Sequence, residues 1–128
     1  MTSTDVTVRL ATRADVPGVM ALESRYYVGN LDATEQEDGF ISVLHSADWF
    51  YRAFDTAGLH VAVTDDDAVA GFIAVTPPPP RSDPGLPPIV RAMLDLADTL
   101  DFNGRPIAQQ RFAFRGPVCI DKSARGRG

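Results

Sequence analysis

The sequence predicts one α+β domain in which helices pack on a mixed sheet with antiparallel neighbours. Apolar patterns follow the order strand, helix, loop, helix, strand, strand, helix, strand. Two of these strands flank a three-residue acidic turn, which is typical of an antiparallel hairpin. The length of 128 residues and the hydrophobic content of 45% suit one domain with a modest core.

The first two elements are a strand and a helix. Residues 6–10 alternate apolar and polar side chains, as a half-buried strand does. Thr12 is an N-cap candidate, and Asp15 follows three residues later in an approximate capping box. We therefore expect a helix over about residues 13–26.

The middle of the chain contains a polar loop and a second helix. Residues 29–38 carry four acids and no apolar period, which indicates a loop. Residues 39–44 fit either an extended segment or a helix start. Ser46 is a good cap for a helix over 47–57, whose bulky apolar stripe is typical of core.

A hairpin and a proline-rich insertion follow. Residues 59–64 and 68–76 read as its two strands, and four consecutive prolines end the second one. Residues 77–104 then hold a stiff, proline-rich stretch and a helix over about 89–100. The apolar face of that helix is predicted at Ile89, Met93, Leu96 and Leu100.

The last segment combines a strand, a short turn and a glycine-spaced basic loop. The strand runs from Ala108 or later to Ile120, with an expected kink at residues 116–117. A polar turn over 121–124 leads to the sequence RGRG at 125–128. Glycines let the backbone approach an anion closely, so this order of elements is typical of a phosphate-binding loop.

This segment resembles the acyl-CoA pyrophosphate loop of the GCN5-related N-acetyltransferases (GNAT). That loop reads Arg/Gln-x-x-Gly-x-Gly/Ala, and its first four positions match Arg125, Gly126, Arg127 and Gly128. The resemblance implies the N-terminal portion of the GNAT fold, with the chain ending inside the loop. We expect one domain over 1–128 that stops before it is complete, with 77–104 inserted between its third and fourth strands.

The resemblance also implies an activity. GNAT proteins transfer an acetyl or acyl group from acetyl-CoA to a primary amine by direct attack on the thioester. The backbone of Val118, Cys119 and Ile120 would bind the pantetheine arm, or these residues form a plain core strand. Arg125, Gly126, Arg127 and Gly128 would hold the pyrophosphate. The alternatives are a non-catalytic GNAT-like binding module and a basic-tailed interaction domain.

The catalytic groups stay open at this stage. Candidates for the general base are Glu23, Glu35, Glu37, His45, His60 and Asp121. Asp121 reads more readily as a turn residue, and Cys119 as a small apolar strand residue than as a nucleophile. The N–H of Val118 is the candidate donor to the thioester oxygen. The resemblance also implies that the helix-to-loop junction borders the acceptor site; the junction residues are Tyr26, Tyr27 and Asn30. The acidic segment 32–38 either attracts a cationic amine or is a solvated loop.

Composition excludes several classes of protein. A single cysteine rules out an internal disulfide and a cysteine-based zinc site, and no metal is expected. The net charge of −5 argues against nucleic-acid binding. There is no membrane-length apolar run and no secretory signal, so we expect a cytoplasmic protein. The excess of arginine over lysine points to a GC-rich bacterial genome. The insertion is a candidate homodimer contact.

Overall fold

The computed structural model describes residues 5–56 and 58–126. Its strands are β1 (Thr7–Leu10), β2 (Leu59–Val63), β3 (Val69–Thr76), β4 (Asp101–Phe102), β5 (Arg105–Pro106) and β6 (Phe114–Ile120). Its α-helices are α1 (Val16–Arg25), α2 (Ala33–Gln36), α3 (Ala47–Arg52) and α4 (Pro88–Thr99). The chain divides into two compact units, the first formed by 1–75 and 115–128 and the second by 76–114.

The larger unit is built on a four-stranded sheet in the order β1-β2-β3-β6. β1 pairs antiparallel with β2, and β2 pairs antiparallel with β3, placing Val61 opposite Phe72. One face carries the core, whose residues alternate along β2 and β3; they are Leu59, Val61, Val63, Phe72 and Ala74. The predicted hairpin and the predicted order of strands are confirmed.

β6 runs antiparallel to β3, and the alternation of its residues between the two faces of the sheet breaks near the middle of the strand. Asp121 N donates to Ala70 O at 2.7 Å, while a Cβ on Gly116 would lie 3.5 Å from Ala74 Cβ. Ala74 and Cys119 both belong to the buried core, so residues 116 and 119 share a face that strict alternation would separate. One extra residue therefore lies between them, at the predicted kink.

The start of α1 is held by a charged cluster that the sequence only partly predicts. Thr12 N donates to Asp15 Oδ2 at 2.7 Å, which is one arm of the predicted capping box. Arg9 on β1 also donates two hydrogen bonds to the Asp15 carboxylate, with N···O distances of 2.6 and 3.0 Å. This bidentate pair ties β1 to the helix start.

Two details of the middle segment differ from the prediction. The predicted loop over 29–38 contains the short helix α2, where Asp32 and Glu35 cap each other's backbone N–H groups at 2.8 and 3.1 Å. Helix α3 begins behind Ser46, as predicted, but it changes to 3₁₀ geometry over Ala53–Thr56. Residues 39–44 contain no helix, and Ile41 forms an isolated parallel bridge with Tyr27.

The second unit consists of α4, a small hairpin and a short 3₁₀ turn. Asn103 and Gly104 both have positive φ, 55° and 79°, and they form the predicted turn between β4 and β5. The predicted apolar face of α4 is wrong, because Ile89, Leu96 and Leu100 are about half exposed. The buried residues are instead Leu94 and Ala97, one turn apart on a neighbouring face.

Within the ranges 5–56 and 58–126, the helices are too short or too polar for any of them to cross a membrane.

Candidate functional site

The turn that follows β6 is fixed to the end of α1 through Tyr26. The Tyr26 hydroxyl donates to Asp121 Oδ1 at 2.9 Å and accepts from Lys122 N at 2.7 Å. Arg25 Nη1 adds a contact of 2.8 Å to the same carboxylate oxygen of Asp121. Burial raises the pKa of Tyr26, so its hydroxyl stays protonated and keeps donating.

Asp121 is a structural anchor and a poor candidate for a base. Its carboxylate accepts from the Ser123 hydroxyl and backbone N–H as well as from Tyr26 and Arg25. The bond from Ser123, with help from Tyr26 and Arg25, lowers the pKa of Asp121 to about 2. A carboxylate held this firmly in its ionised form takes up a proton only in strong acid, which favours the predicted turn role.

The predicted pantetheine-binding residues lie at the end of β6. Cys119 is buried in the core, whereas Val118 and Ile120 are 42% and 48% exposed. Burial raises the pKa of the Cys119 thiol to about 11, which agrees with an apolar strand residue and not with a nucleophile. β6 is the last strand in the sheet order, so among the described strands none pairs with its outer edge.

The alternation of hydrogen bonding divides these three residues. Asp121 N points to β3, so the backbone groups of Cys119, two residues earlier, point the same way. The groups of Ile120, which lies between them, therefore point to the outer edge, whereas Val118 lies in the irregular part of β6. Ile120 O confirms this direction, because it accepts from Arg125 Nε at 2.9 Å.

The start of the predicted phosphate loop is ordered around Arg125 and Gly126. The guanidinium of Arg125 lies 5.1 Å from the centre of the Tyr26 ring. Gly126 has φ +78°, and a Cβ there would meet no atom within 4 Å. The N–H of Lys122 donates to Tyr26, and those of residues 123–125 are bonded inside the turn. The first N–H of the turn without a hydrogen-bond partner among the described residues is therefore that of Gly126. Arg127 and Gly128 lie outside the described residues.

The base candidates separate into paired and isolated groups. Glu23 and His45 form a close pair, with Nδ1 of the imidazole 2.8 Å from Glu23 Oε2. Glu35 caps α2, and His60 on β2 is half-buried opposite Leu10 and Ile73. Glu37 is exposed. The burial of Glu23 could be predicted from the sequence, because this residue falls on the same helical face as the buried residues Val16 and Val19.

Of the predicted acceptor-site residues, Tyr26 lies against the turn after β6. Tyr26 is at the junction between α1 and the acidic segment, and Asn30 Nδ2 donates back to Ser24 O at 2.8 Å. Lys122 Nζ approaches Asp38 Oδ2 at 4.0 Å, so the acidic segment reaches the turn after β6.

A cavity of about 310 Å³ opens beside α1, away from most of these residues. Of the residues discussed above, Asp15 and Arg25 line this cavity, but β6 and the turn after it do not. Among residues 5–56 and 58–126, no cluster of three or more histidine, cysteine or acidic side chains is placed to hold a metal.

Comparison with solved structures identifies the fold. A GNAT-family acetyltransferase from Streptococcus agalactiae 2603 matches with a TM-score of 0.53 at 17% identity, covering 96% of this chain and 62% of that one. One from Listeria monocytogenes 4b F2365 matches with a TM-score of 0.52 at 15% identity, covering 94% and 60%. A GCN5-related N-acetyltransferase from Kribbella flavida matches with a TM-score of 0.51 at 14% identity, covering 98% and 24%.

These matches give the chain the GNAT fold, so the predicted fold and resemblance are confirmed at that level. The chain spans less than two thirds of the length of each of these three structures. No protein-family model matches the sequence, and no curated protein matches it.

Proposed function

We propose that this chain carries the acyl-CoA-binding part of an N-acyltransferase that moves an acetyl group from acetyl-CoA to a primary amine. The GNAT fold supports this proposal, and the three structures described above are named as acetyltransferases. The acceptor is an amine in a small molecule or a peptide. The protein acts on acetyl-CoA as a substrate and requires no metal.

The observation that carries the proposal is an edge strand that leads into an anchored, glycine-containing turn. The outer edge of β6 presents the backbone groups of Ile120, which suit an amide of a pantetheine arm, and the proposal adds the backbone of Val118. The Tyr26–Asp121 contacts then hold the turn in one conformation. A fixed turn binds a phosphate at lower entropic cost than a mobile one.

The pyrophosphate would lie at the N–H groups that begin with Gly126. Its positive φ and the open space at its α-carbon let an anion approach the backbone. Arg125, Lys122 and Arg25 supply positive charge around the turn. Arg127 and Gly128 continue this loop in the proposal.

The thioester would lie near the irregular part of β6. The N–H of Val118 is the proposed donor to the thioester, because the preceding residue, Pro117, has no N–H of its own. Such a donor can stabilise the negative charge that forms on the carbonyl oxygen during attack. Cys119 contributes packing, because its backbone groups point to β3.

Two measurements on the full-length protein test this function. Calorimetric titration with acetyl-CoA should give saturable one-to-one binding, and release of CoA thiol should accelerate with at least one primary amine. The amines are ethanolamine, spermidine, free amino acids and a short peptide with a free α-amino group. Binding without transfer to any amine would favour the non-catalytic module. Absence of binding would contradict the proposal.

A further inference from the structure

The most deeply buried acidic side chain among the described residues is that of Glu23, which pairs with His45. Glu23 is 1% exposed, and both of its oxygens bond to His45: Oε1 accepts from the backbone N at 2.7 Å and Oε2 lies 2.8 Å from Nδ1. A buried carboxylate is costly without such partners. The two contacts therefore fix the position of His45 relative to α1.

This geometry selects one form of the neutral imidazole. The backbone N–H of His45 can only donate, so Glu23 is the acceptor at Oε1, and an ionised carboxylate is also an acceptor at Oε2. Nδ1 then carries the proton, and Nε2 carries the lone pair. Among the described residues, none forms a hydrogen bond with Nε2, and the His45 side chain is 18% exposed.

The pair lies close to β6. The His45 ring packs against Trp49 at a tilt of 42°, with 4.1 Å between ring centres. Trp49 Cη2 in turn lies 3.3 Å from the position that a Cβ would take at Gly116. The absence of a side chain at Gly116 lets the indole rest on the strand. The imidazole is thus one aromatic ring away from the segment of β6 assigned to the thioester.

We propose that His45 is the proton acceptor for the attacking amine and that Glu23 is its positioning residue. This inference rests on the proposed function. The amine lone pair forms the C–N bond to the thioester carbon, and the carbonyl π pair moves to oxygen. Nε2 takes the proton from nitrogen. A lone pair on oxygen then re-forms the C=O bond as the C–S pair leaves with sulfur, and the CoA thiolate takes up that proton from the imidazolium. The products are the amide and CoA thiol.

The variant Glu23→Gln separates catalysis from packing. The glutamine oxygen would accept from the His45 backbone N–H, so its NH₂ group would face Nδ1 and donate to it. The proton of the imidazole would then move to Nε2, which removes the acceptor while the shape of the pair is kept.

The test measures transfer to the most reactive amine of the panel, together with acetyl-CoA binding, in the full-length protein. We expect His45→Gln and Glu23→Gln to lower kcat by about 100-fold or more. Their dissociation constants for acetyl-CoA should change less than about threefold, because neither residue belongs to the proposed acyl-CoA contacts. His60→Gln, at the other histidine, should leave kcat unchanged. A wild-type kcat in His45→Gln would overturn the proposal.

A spectroscopic measurement needs no variant. Long-range proton–nitrogen correlation spectra of the wild-type protein should show His45 with the proton on Nδ1, and a proton on Nε2 of the neutral ring would overturn the proposal. Failure of the proposed function has a different signature, because acetyl-CoA would then not bind to the wild-type protein at all.

Discussion

At the scale of single residues, Tyr26 connects three parts of the candidate site. Its hydroxyl bridges Asp121 and Lys122 N, and its ring lies beneath the Arg125 guanidinium. The hydroxyl is a donor and an acceptor at once, a role that no apolar side chain of similar shape can take.

Removal of this hydroxyl should weaken both stability and acyl-CoA binding. In Tyr26→Phe, Lys122 N and Asp121 each lose a partner, so we expect the free energy of unfolding to fall by about 1–2 kcal/mol. The neighbouring Tyr27, whose hydroxyl has no hydrogen-bond partner among the described residues, provides the control Tyr27→Phe. Urea denaturation and acetyl-CoA titration measure the two effects. Equal losses in both variants would contradict the role of the bridge.

Asp15 and Asp121 should make stability depend on pH in acid. The bond from Arg9 lowers the pKa of Asp15 to about 2, and the bond from Ser123 does so for Asp121. Because both folded-state pKa values lie below the ordinary value, the stabilisation is fully present above about pH 4. It is lost as the pH falls toward about 2.

Asp15→Asn should therefore reduce stability near neutral pH and flatten its decline in acid. The expected cost is about 1.5–3 kcal/mol, the range for a hydrogen bond to a charged group. Urea midpoints measured at a series of acidic pH values test it, with the exposed Asp65→Asn as control. An unchanged slope between about pH 4 and 2 in Asp15→Asn would show that the Arg9 pair contributes nothing.

At the scale of elements, the junction before β2 depends on a glycine. A Cβ at Gly58 would lie 2.0 Å from Val75 O, and Val75 N donates to Gly58 O at 2.7 Å. Gly58 thus lets the chain enter the sheet in direct contact with β3.

Gly58→Ala should destabilise the larger unit, because backbone must move to admit the methyl group. We expect a loss of about 1–3 kcal/mol, as for other overpacked positions. Gly85→Ala is the control, since its Cβ would meet nothing closer than a side-chain oxygen at 3.3 Å. Thermal unfolding followed by circular dichroism measures both, and equal midpoints would contradict the clash.

The elements that could be predicted from the sequence are those whose periodicity agrees with their packing. The side chains of β2 and β3 alternate between the core and the opposite face. The period of two and the acidic turn between the strands therefore predicted the ends of both strands to within one or two residues. Helix α2 was missed because its four residues, ATEQ, are too few and too polar to show an apolar period, although Asp32 and Glu35 form its capping box. The buried face of α4 was misassigned because large apolar residues occupy both faces of that helix.

The candidate site was predictable only as separate residues. Glu23, His45, Tyr26 and Asp121 were each recognised as chemically notable, but their pairing joins positions 22 to 95 residues apart. Such contacts depend on the arrangement of the helices and the sheet, which local periodicity does not contain. Arg25 and Arg9 gave no local signal at all.

At the scale of the whole molecule, the chain of the second unit leaves the sheet at the end of β3 and returns to it at the start of β6, which are neighbouring strands. Gly116 lies against Ala74 across β3 and β6, and that register extended by two residues places position 76 opposite 114. The assignment of residues 77–104 as an insertion in one domain stays a prediction, and the structure separates 76–114 as its own compact unit.

Replacement of residues 77–113 by an Asn-Gly turn should leave the larger unit folded. A two-residue turn closes antiparallel strands at this register. In the full-length protein we expect acetyl-CoA binding to be kept, while the choice of amine or the oligomeric state changes. Calorimetry, the amine panel and light scattering report these properties. Loss of cooperative unfolding would show that 76–114 is part of the core, and an unchanged profile would show that it has no functional role.

The central claim is that acyl-CoA binds at the turn after β6, and a pair of glycine substitutions tests it most directly. Gly126 and Gly104 have φ values of +78° and +79°, and neither has an atom within 4 Å of its Cβ position. Glutamate therefore introduces the same strain and charge at both, but only at Gly126 would it repel a phosphate. We predict at least a tenfold loss of acetyl-CoA affinity in Gly126→Glu of the full-length protein and none in Gly104→Glu, measured by calorimetry. Unchanged affinity in Gly126→Glu would contradict the claim.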